Sequence, residues 1–330
     1  MQYRKLGQSD IEVSAICFGC WGIAGGLDWG DQDEKDAIDA MRAAHEEGVA
    51  FFDSAEAYGD GSSEKLVGKA LASVRDEVVI ASKASPKHFA PDELNEACDR
   101  SLRNLGTDRI DLYQLHWWTE DRPMEETLGV LDGLIEKGKI RAYAVSNFGP
   151  RDLTRLESLP HRVQSNQVAY SLILRAIEFE IQPRCVEQNI SILTYSSLAQ
   201  GLLTGRFATA DDVPPGRART RHFSADRPHT RHGEPGAETE TFEAIGRIRA
   251  IAEELGESMA DVSLAWLMTR PGVVSVIAGA RNSDQARRNA RAADLELPAD
   301  VSERLSQATD SLKGILGSNA DPWQSDPRVH

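Results

Sequence analysis

The amino-acid sequence predicts an α/β fold, a closed (β/α)8 TIM barrel with an N-terminal β-hairpin and a long loop after its seventh strand. Three observations carry that expectation. Strand-like apolar runs alternate with helical patterns along most of the 330 residues, and such alternation builds parallel sheets. Eight of these runs follow the hairpin, the number that closes a barrel. Four of them end on polar residues: 51-FFDSAEAY runs into Asp53 and Tyr58, 78-VVIASK stops at Lys83, 110-IDLYQLH at His116, and 140-IRAYAVSNF at Ser146 and Asn147. The steps between Asp53, Lys83, His116 and Ser146 are 30, 33 and 30 residues, each about one βαβ unit. Equal steps return the chain to one level. In a parallel barrel that level is the C-terminal mouth, where chemistry is placed. The even rhythm and the absence of a linker suit one barrel domain over residues 1–330.

Each element has its own signal. Residues 3–15 alternate around the turn 7-GQSD and read as a short hairpin that plugs the lower end of the barrel. The first barrel strand is 16–20. Helix 33-DEKDAIDAMRAAHEEG opens on acids and stops at Gly48. Strand 51–54 leads to helix 62-SSEKLVGKAL, with Ser62 or Ser63 as its cap. Strand 78–83 leads to helix 92-DELNEACDRSLRNLG, which ends at Gly106. Strand 110–116 leads to helix 124-MEETLGVLDGLIEKG, which ends at Gly138. Strand 140–146 precedes a helix over 151–159. Strand 163–170 precedes a helix over 178–188, and strand 190–196 follows at once. Residues 207–240 break the rhythm. They are rich in Pro, Gly, Arg and His and lack apolar periodicity, and a loop this long is functional or disordered. Helices over 241–255 and 259–270 follow, then strand 273-VVSVIAG, helix 283-SDQARRNARAA, a final helix over 300–312 and the polar tail 317-GSNADPWQSDPRVH.

Composition narrows the function. A hydrophobic share of 41% and a charged share of 27% are those of a globular enzyme. No apolar run is long enough to span a membrane, and the N-terminus lacks the apolar core of a signal peptide, so a cytoplasmic protein is expected. The net charge of −15 argues against nucleic acid. It leaves an anionic cofactor open, because arginines gathered at one mouth create a local positive field. Cys17 and Cys20 form a C-x-x-C, but 16-ICFGCWG reads as a strand end, where residues three apart point to opposite faces. The other two cysteines, Cys98 and Cys185, lie singly on helical patterns. Neither a disulfide nor a metal is expected.

An acid, a phenol, an amine and an imidazole converging on one mouth suit proton transfer to a carbonyl oxygen. Taken together, 51-FFDSAEAYGDGSSEKLVGKAL, Lys83, 116-HWW, 145-VSNF, 195-YSSLAQGLLTGR and 277-IAGARNSDQ resemble the aldo-keto reductase superfamily. The segment 21-WGIAGGLDWGDQDE is similar to the bacterial branch that includes the inositol-operon reductase. The resemblance covers nearly the whole chain, in order. It implies metal-free reduction of an aldehyde, ketone or sugar carbonyl, NADPH as hydride donor and NADH as a weaker alternative.

Residue by residue, it places the catalytic tetrad at Asp53, Tyr58, Lys83 and His116. The nicotinamide carboxamide falls to Ser146, Asn147 and Gln167, and the stacking aromatic to Tyr195. The pyrophosphate segment runs from Ser197 through Leu198, Gln200 and Gly201 to Arg206, with Ser196 a further cofactor contact. Adenine-side contacts fall on Arg281, Gln285 and Asn289, with Gly279 and Arg288 as further cofactor-binding positions. Four positions depart from the pattern. Ser197 stands where many members carry Pro, and Arg288 where many carry Glu. Gly279 and Ala280 replace a Lys-Ser pair, which leaves a 2′-phosphate to Arg281 and Arg288. Tyr58 is the expected proton donor, its pKa brought below the usual value of about 10 by Lys83. Asp53 would orient Lys83, and a neutral His116 would hold the carbonyl oxygen.

The glycines of 19-GCWGIAGG do not have dinucleotide-fold spacing; they let a loop run close to substrate. Trp21, Trp29, Trp117 and Trp118 are expected to line the substrate pocket, with one or two of them packing elsewhere. In the long loop His222, His229 and His232 fit no closed zinc site. Its Arg217, Arg219, Arg221, Arg227 and Arg231 read as a mobile lid that attracts phosphate. The partner is a small carbonyl or sugar substrate, with no membrane and with the chain a monomer or weak homo-oligomer. The competing reading is a cofactor-binding sensor or regulatory subunit with little turnover.

Overall fold

A computed structural model describes residues 1–26 and 29–330; Leu27 and Asp28 of the 21–34 segment lie outside the described residues. Strands β1 (Tyr3–Lys5) and β2 (Glu12–Ser14) form the antiparallel hairpin. Then follow β3 (Ile16–Gly19), α1 (Glu34–Glu46), β4 (Phe51–Asp53), α2 (Ser62–Leu71), β5 (Val79–Ala84), α3 (Pro91–Leu105), β6 (Ile110–Leu115), α4 (Met124–Glu136) and β7 (Ile140–Ser146). The chain continues through α5 (Pro150–Glu157), β8 (Ser165–Ala169), α6 (Ile181–Glu187), β9 (Ser191–Tyr195), α7 (Glu238–Leu255), α8 (Met259–Met268), β10 (Val273–Gly279), α9 (Ser283–Arg291), α10 (Ala299–Gln307) and α11 (Asp310–Leu316). Strands β3 to β10 close into one parallel barrel in sequence order, with β10 pairing back to β3.

The barrel strands are buried on both faces, as parallel strands covered by helices must be. Inward residues Cys17, Phe51, Val79, Leu112, Leu193 and Ile277 pack against Leu6, Ile11 and Val13 of the hairpin, so the hairpin plugs the lower end as expected. The register then sets the upper level. Gly19 pairs with Asp53, Lys83 with Gln114, Ser146 with Gln167, and Ala169 with Tyr195. At this end of the barrel Asp53 accepts from Lys83, Gln114 and Gln167, so the polar strand residues gather at the mouth.

Two expectations are corrected. Helix α2 is not capped by a serine. Its N-cap is Gly61 at φ +83 with no side-chain cap. A Cβ there would lie 2.5 Å from Asn104 Nδ2, so only glycine suits both the backbone and the contact. Ser63 instead ties the helix to the barrel, donating to Cys20 O at 2.9 Å. The single final helix is two, α10 and α11. Arg175 enters at the break, donating to Ser306 O, Thr309 Oγ1 and Asp310 Oδ1.

The polar tail is not loose. Buried Asp321 accepts two bonds from the Arg328 guanidinium. Arg221 of the long loop donates to Leu316 O and Asn319 O. The tail lacks apolar periodicity, so nothing in its pattern announced that it folds back.

Candidate active site

Four of the polar strand ends meet at one point. Lys83 is fully buried. Its ammonium donates to Asp53 Oδ2 at 2.6 Å, to Ser54 O at 2.8 Å and to Tyr58 OH at 3.3 Å. Burial opposes the charged amine, but Asp53 and Tyr58 outweigh it and raise its pKa above the usual lysine range. The other Asp53 oxygen accepts from Gln114 Nε2 at 2.8 Å and Gln167 Nε2 at 2.9 Å. The His116 ring meets the Tyr58 ring edge-on, with centroids 5.7 Å apart. Burial, then the Lys83 charge, push His116 down to about 3, so the imidazole is neutral in ordinary conditions.

The expected direction for Tyr58 is corrected. Burial outweighs the ammonium, and its pKa lies above the ordinary value. The phenol is therefore a firm donor at neutral pH. Lys83 acts on the phenolate that donation leaves, which an adjacent cation favours. Tyr58 and His116 keep part of their surface open to a cavity, so their burial is completed only when that cavity is filled.

The cavity holds about 850 Å³, at the upper end of small-molecule sites. All the residues expected to hold a cofactor line it: Ser146, Asn147, Gln167, Tyr195, Ser196, Leu198, Gln200, Gly201, Arg206, Gly279, Arg281, Gln285, Arg288 and Asn289. Asn147 donates to Ser146 Oγ and His116 O, and accepts from Tyr195 OH at 2.8 Å. Three of these positions, Asn147, Ser196 and Gln200, are non-glycine residues on left-handed backbone at φ +62, +53 and +53, and Ala199, beside Leu198, has φ +47. Such backbone is concentrated in ligand clamps.

Charge follows the same path. Arg206, Arg217, Arg219, Arg231, Arg281, Arg288 and Arg328 line the cavity, against the acids Asp53 and Asp261. Burial, with Arg206 and Arg281 nearby, lowers the Arg217 pKa. A long, arginine-rich cavity with a polar amide tier at one end fits a dinucleotide phosphate. Arg281 lines the cavity and also has protein partners. Its guanidinium donates to Gln32 Oε1 at 2.7 Å, to Trp29 O at 2.6 Å and to Asp31 O. It ties the 29–32 segment to the end of β10, whereas Arg288 donates to Asp284 O of its own helix.

Trp21, Trp29 and Trp117 line the cavity. Trp118 does not; it packs between Phe89 and Phe148 in the outer core. Ion pairs tie the 207–240 segment to itself, and Arg221 ties it to the tail. Arg221 pairs with Glu234, and Arg227 with Glu238 and Asp211, so these two arginines hold the loop and do not reach for phosphate. Only Arg217, Arg219 and Arg231 of the expected five face the cavity. Buried His222 bonds Ile173 O at 2.8 Å. Among the described residues no group of three or more His, Cys, Asp and Glu could hold a metal. The four cysteines are free and buried. Cys17 faces the barrel interior and Cys20 the outer core, and burial raises both thiols.

Sequence reasoning missed Gln114, Trp323 and Arg328. Gln114 had a signal, a polar residue inside the apolar run 110-IDLYQLH. Trp323 stacks on Tyr195 at 6.0 Å and 6°, and Arg328 lies 3.9 Å over the Trp117 ring. Both come from the tail, which had none.

A model of the aldo/keto reductase family matches residues 15–310. An aldo-keto reductase of Bacillus subtilis, YhdN, is 33% identical over 300 residues, 86% of each chain. The NADH-specific methylglyoxal reductase of Escherichia coli is 30% identical over 321 residues, 90% of this chain and 95% of the relative. Among solved structures, an aldo-keto reductase from Klebsiella pneumoniae in complex with NADPH superposes with a TM-score of 0.74. It is 29% identical and the match covers 100% of this chain and 99% of that one.

Proposed function

The chain belongs to the aldo/keto reductase family, and we propose that it reduces a small aldehyde, ketone or sugar carbonyl to the alcohol, preferring NADPH over NADH. The observation that carries this reading is Lys83 bridging Asp53 and Tyr58 at 2.6 and 3.3 Å, at one end of an arginine-lined cavity. A nicotinamide cofactor bound in the cavity would supply a hydride to the carbonyl carbon.

The chain's own groups do the rest. Tyr58 gives its proton to the carbonyl oxygen as the new C–H bond forms. The tyrosinate left behind lies beside the Lys83 ammonium, which Asp53 keeps charged. Neutral His116 donates to the same oxygen and fixes its angle, in the manner of preorganised donors. Ser146, Asn147 and Gln167 would hold the carboxamide, Tyr195 would back the ring, and Arg206, Arg217 and Arg288 would meet the phosphates. The NADH-specific relative and the NADPH complex mark the two cofactor outcomes within the family. The arginine set supports NADPH here.

The test is loss of NADPH absorbance with a panel of small aldehydes, ketones and sugars, repeated with NADH. Turnover with NADPH at the higher kcat/KM is the expected result. Tight cofactor binding with no turnover of any carbonyl would instead support the sensor reading.

A further inference from the structure

We propose that Gln114 is a positioning residue that couples the cofactor's amide contact, Gln167, to the acid–base centre. Gln114 is fully buried in β6 and is absent from the cavity wall, so it acts through others. Its Nε2 donates to Asp53 Oδ1 at 2.8 Å, and its Oε1 accepts from Gln167 Nε2 at 3.2 Å. Gln167 Nε2 also donates to Asp53 Oδ1 at 2.9 Å.

A carboxylate only accepts hydrogen bonds. Asp53 therefore demands an N–H from each glutamine and fixes which way both amides point. With Lys83 on its Oδ2, the carboxylate is held from both sides. The Gln167 amide nitrogen is committed to Asp53 and Gln114, so Gln167 turns its Oε1 to the remaining side. Gln167 itself lines the cavity, and an Oε1 free of these bonds can accept from an amide NH2. The orientation that receives a carboxamide and the geometry that aims Lys83 at Tyr58 are thus set by the same two bonds. The titratable groups around the Asp53–Lys83 pair are Tyr58, His116, Cys17 and Cys20.

The inference rests on the carbonyl-reduction reading above. Its test compares Gln114→Leu and Gln114→Glu with the parent in two measurements: NADP+ affinity by tryptophan fluorescence, and single-turnover hydride transfer across pH. Gln114→Leu removes a bond to a charged acceptor, and transfer is expected to slow about tenfold with NADP+ bound several-fold more weakly. Gln114→Glu is the sharper variant. When protonated, its carboxyl still donates to Asp53 and accepts from Gln167. When ionised, it repels Asp53. Its rate is expected to approach the parent's at low pH and to fall as pH rises, a limb absent from the parent.

A role in packing alone would leave the Gln114→Glu profile parallel to the parent's, and that result overturns the proposal, as do parent-like rates and NADP+ affinity in both variants. If Gln114→Leu does not fold, the Gln114→Glu profile decides. If the parent itself shows no turnover, the carbonyl-reduction reading fails, and NADP+ affinity in the two variants still tests the link between Gln114 and Gln167.

Discussion

The Lys83 ammonium sits 2.6 Å from an oxygen of Asp53, with both side chains shut from solvent. Removing one partner of such a pair leaves an uncompensated buried charge and costs about 3–5 kcal/mol. Asp53→Asn is expected to lower stability by that order and to abolish most turnover. Asp53→Asn combined with Lys83→Met removes both charges. It is expected to recover much of the lost Tm in thermal unfolding and none of the activity. If the single variant unfolds like the parent, the pair does not hold the charge assigned to it.

The histidines give a pH test with a definite sign. His116, held down to about 3, stays neutral across the assay range. The rate of hydride transfer is therefore expected to show no limb near the unperturbed histidine value of about 6.5. A limb there that vanishes in His116→Gln would contradict the assignment. His222 is held down to about 4 by burial. Between that value and the unfolded value near 6.5, the unfolded chain binds the extra proton, so stability falls as pH drops through this window. Thermal unfolding of His222→Gln should depend less on pH there than that of the parent.

Arg281 is bound to the backbone of residues 29 and 31 and to the Gln32 side chain. With its guanidinium held by these partners, its loss is expected to loosen a wall of the cavity more than to remove a contact specific to the 2′-phosphate. Arg281→Ala is expected to weaken NADP+ and NAD+ alike in fluorescence titrations, with the ratio of the two affinities little changed. A collapse of that ratio would restore Arg281 as the phosphate ligand and remove the preference from Arg288.

The 207–240 segment is pinned by Arg221 to Glu234 and to two carbonyls of the tail. Trypsin is therefore expected to spare the bonds after Arg221 and Arg227 even without cofactor. Rapid cutting at both, suppressed by NADP+, would show a lid that orders only on binding.

The barrel and its polar mouth were legible because they rest on repetition. Strand alternation and steps of 30 to 33 residues bring Asp53, Lys83 and His116 to one tier. What stayed hidden comes from contacts between distant segments. Trp323 reaches Tyr195 only because Asp321, Arg328 and Arg221 fold the tail back, and no local pattern encodes that. Trp118 and Trp117 are adjacent in sequence, yet one packs into the core and the other lines the cavity. The Tyr58 shift has a related origin. A charge partner is visible in sequence, while the burial that outweighs it is a property of the fold.

The central claim is that Tyr58 supplies the proton. The most direct measurement is single-turnover hydride transfer from NADPH to a carbonyl that the parent reduces, in parent and Tyr58→Phe, with NADP+ affinity measured alongside. The variant keeps the ring and loses only the hydroxyl that Lys83 holds at 3.3 Å. Hydride transfer is expected to slow by at least ~10²-fold, the low end for a general acid, with NADP+ affinity nearly unchanged. Transfer at close to the parent rate would show that the proton comes from elsewhere.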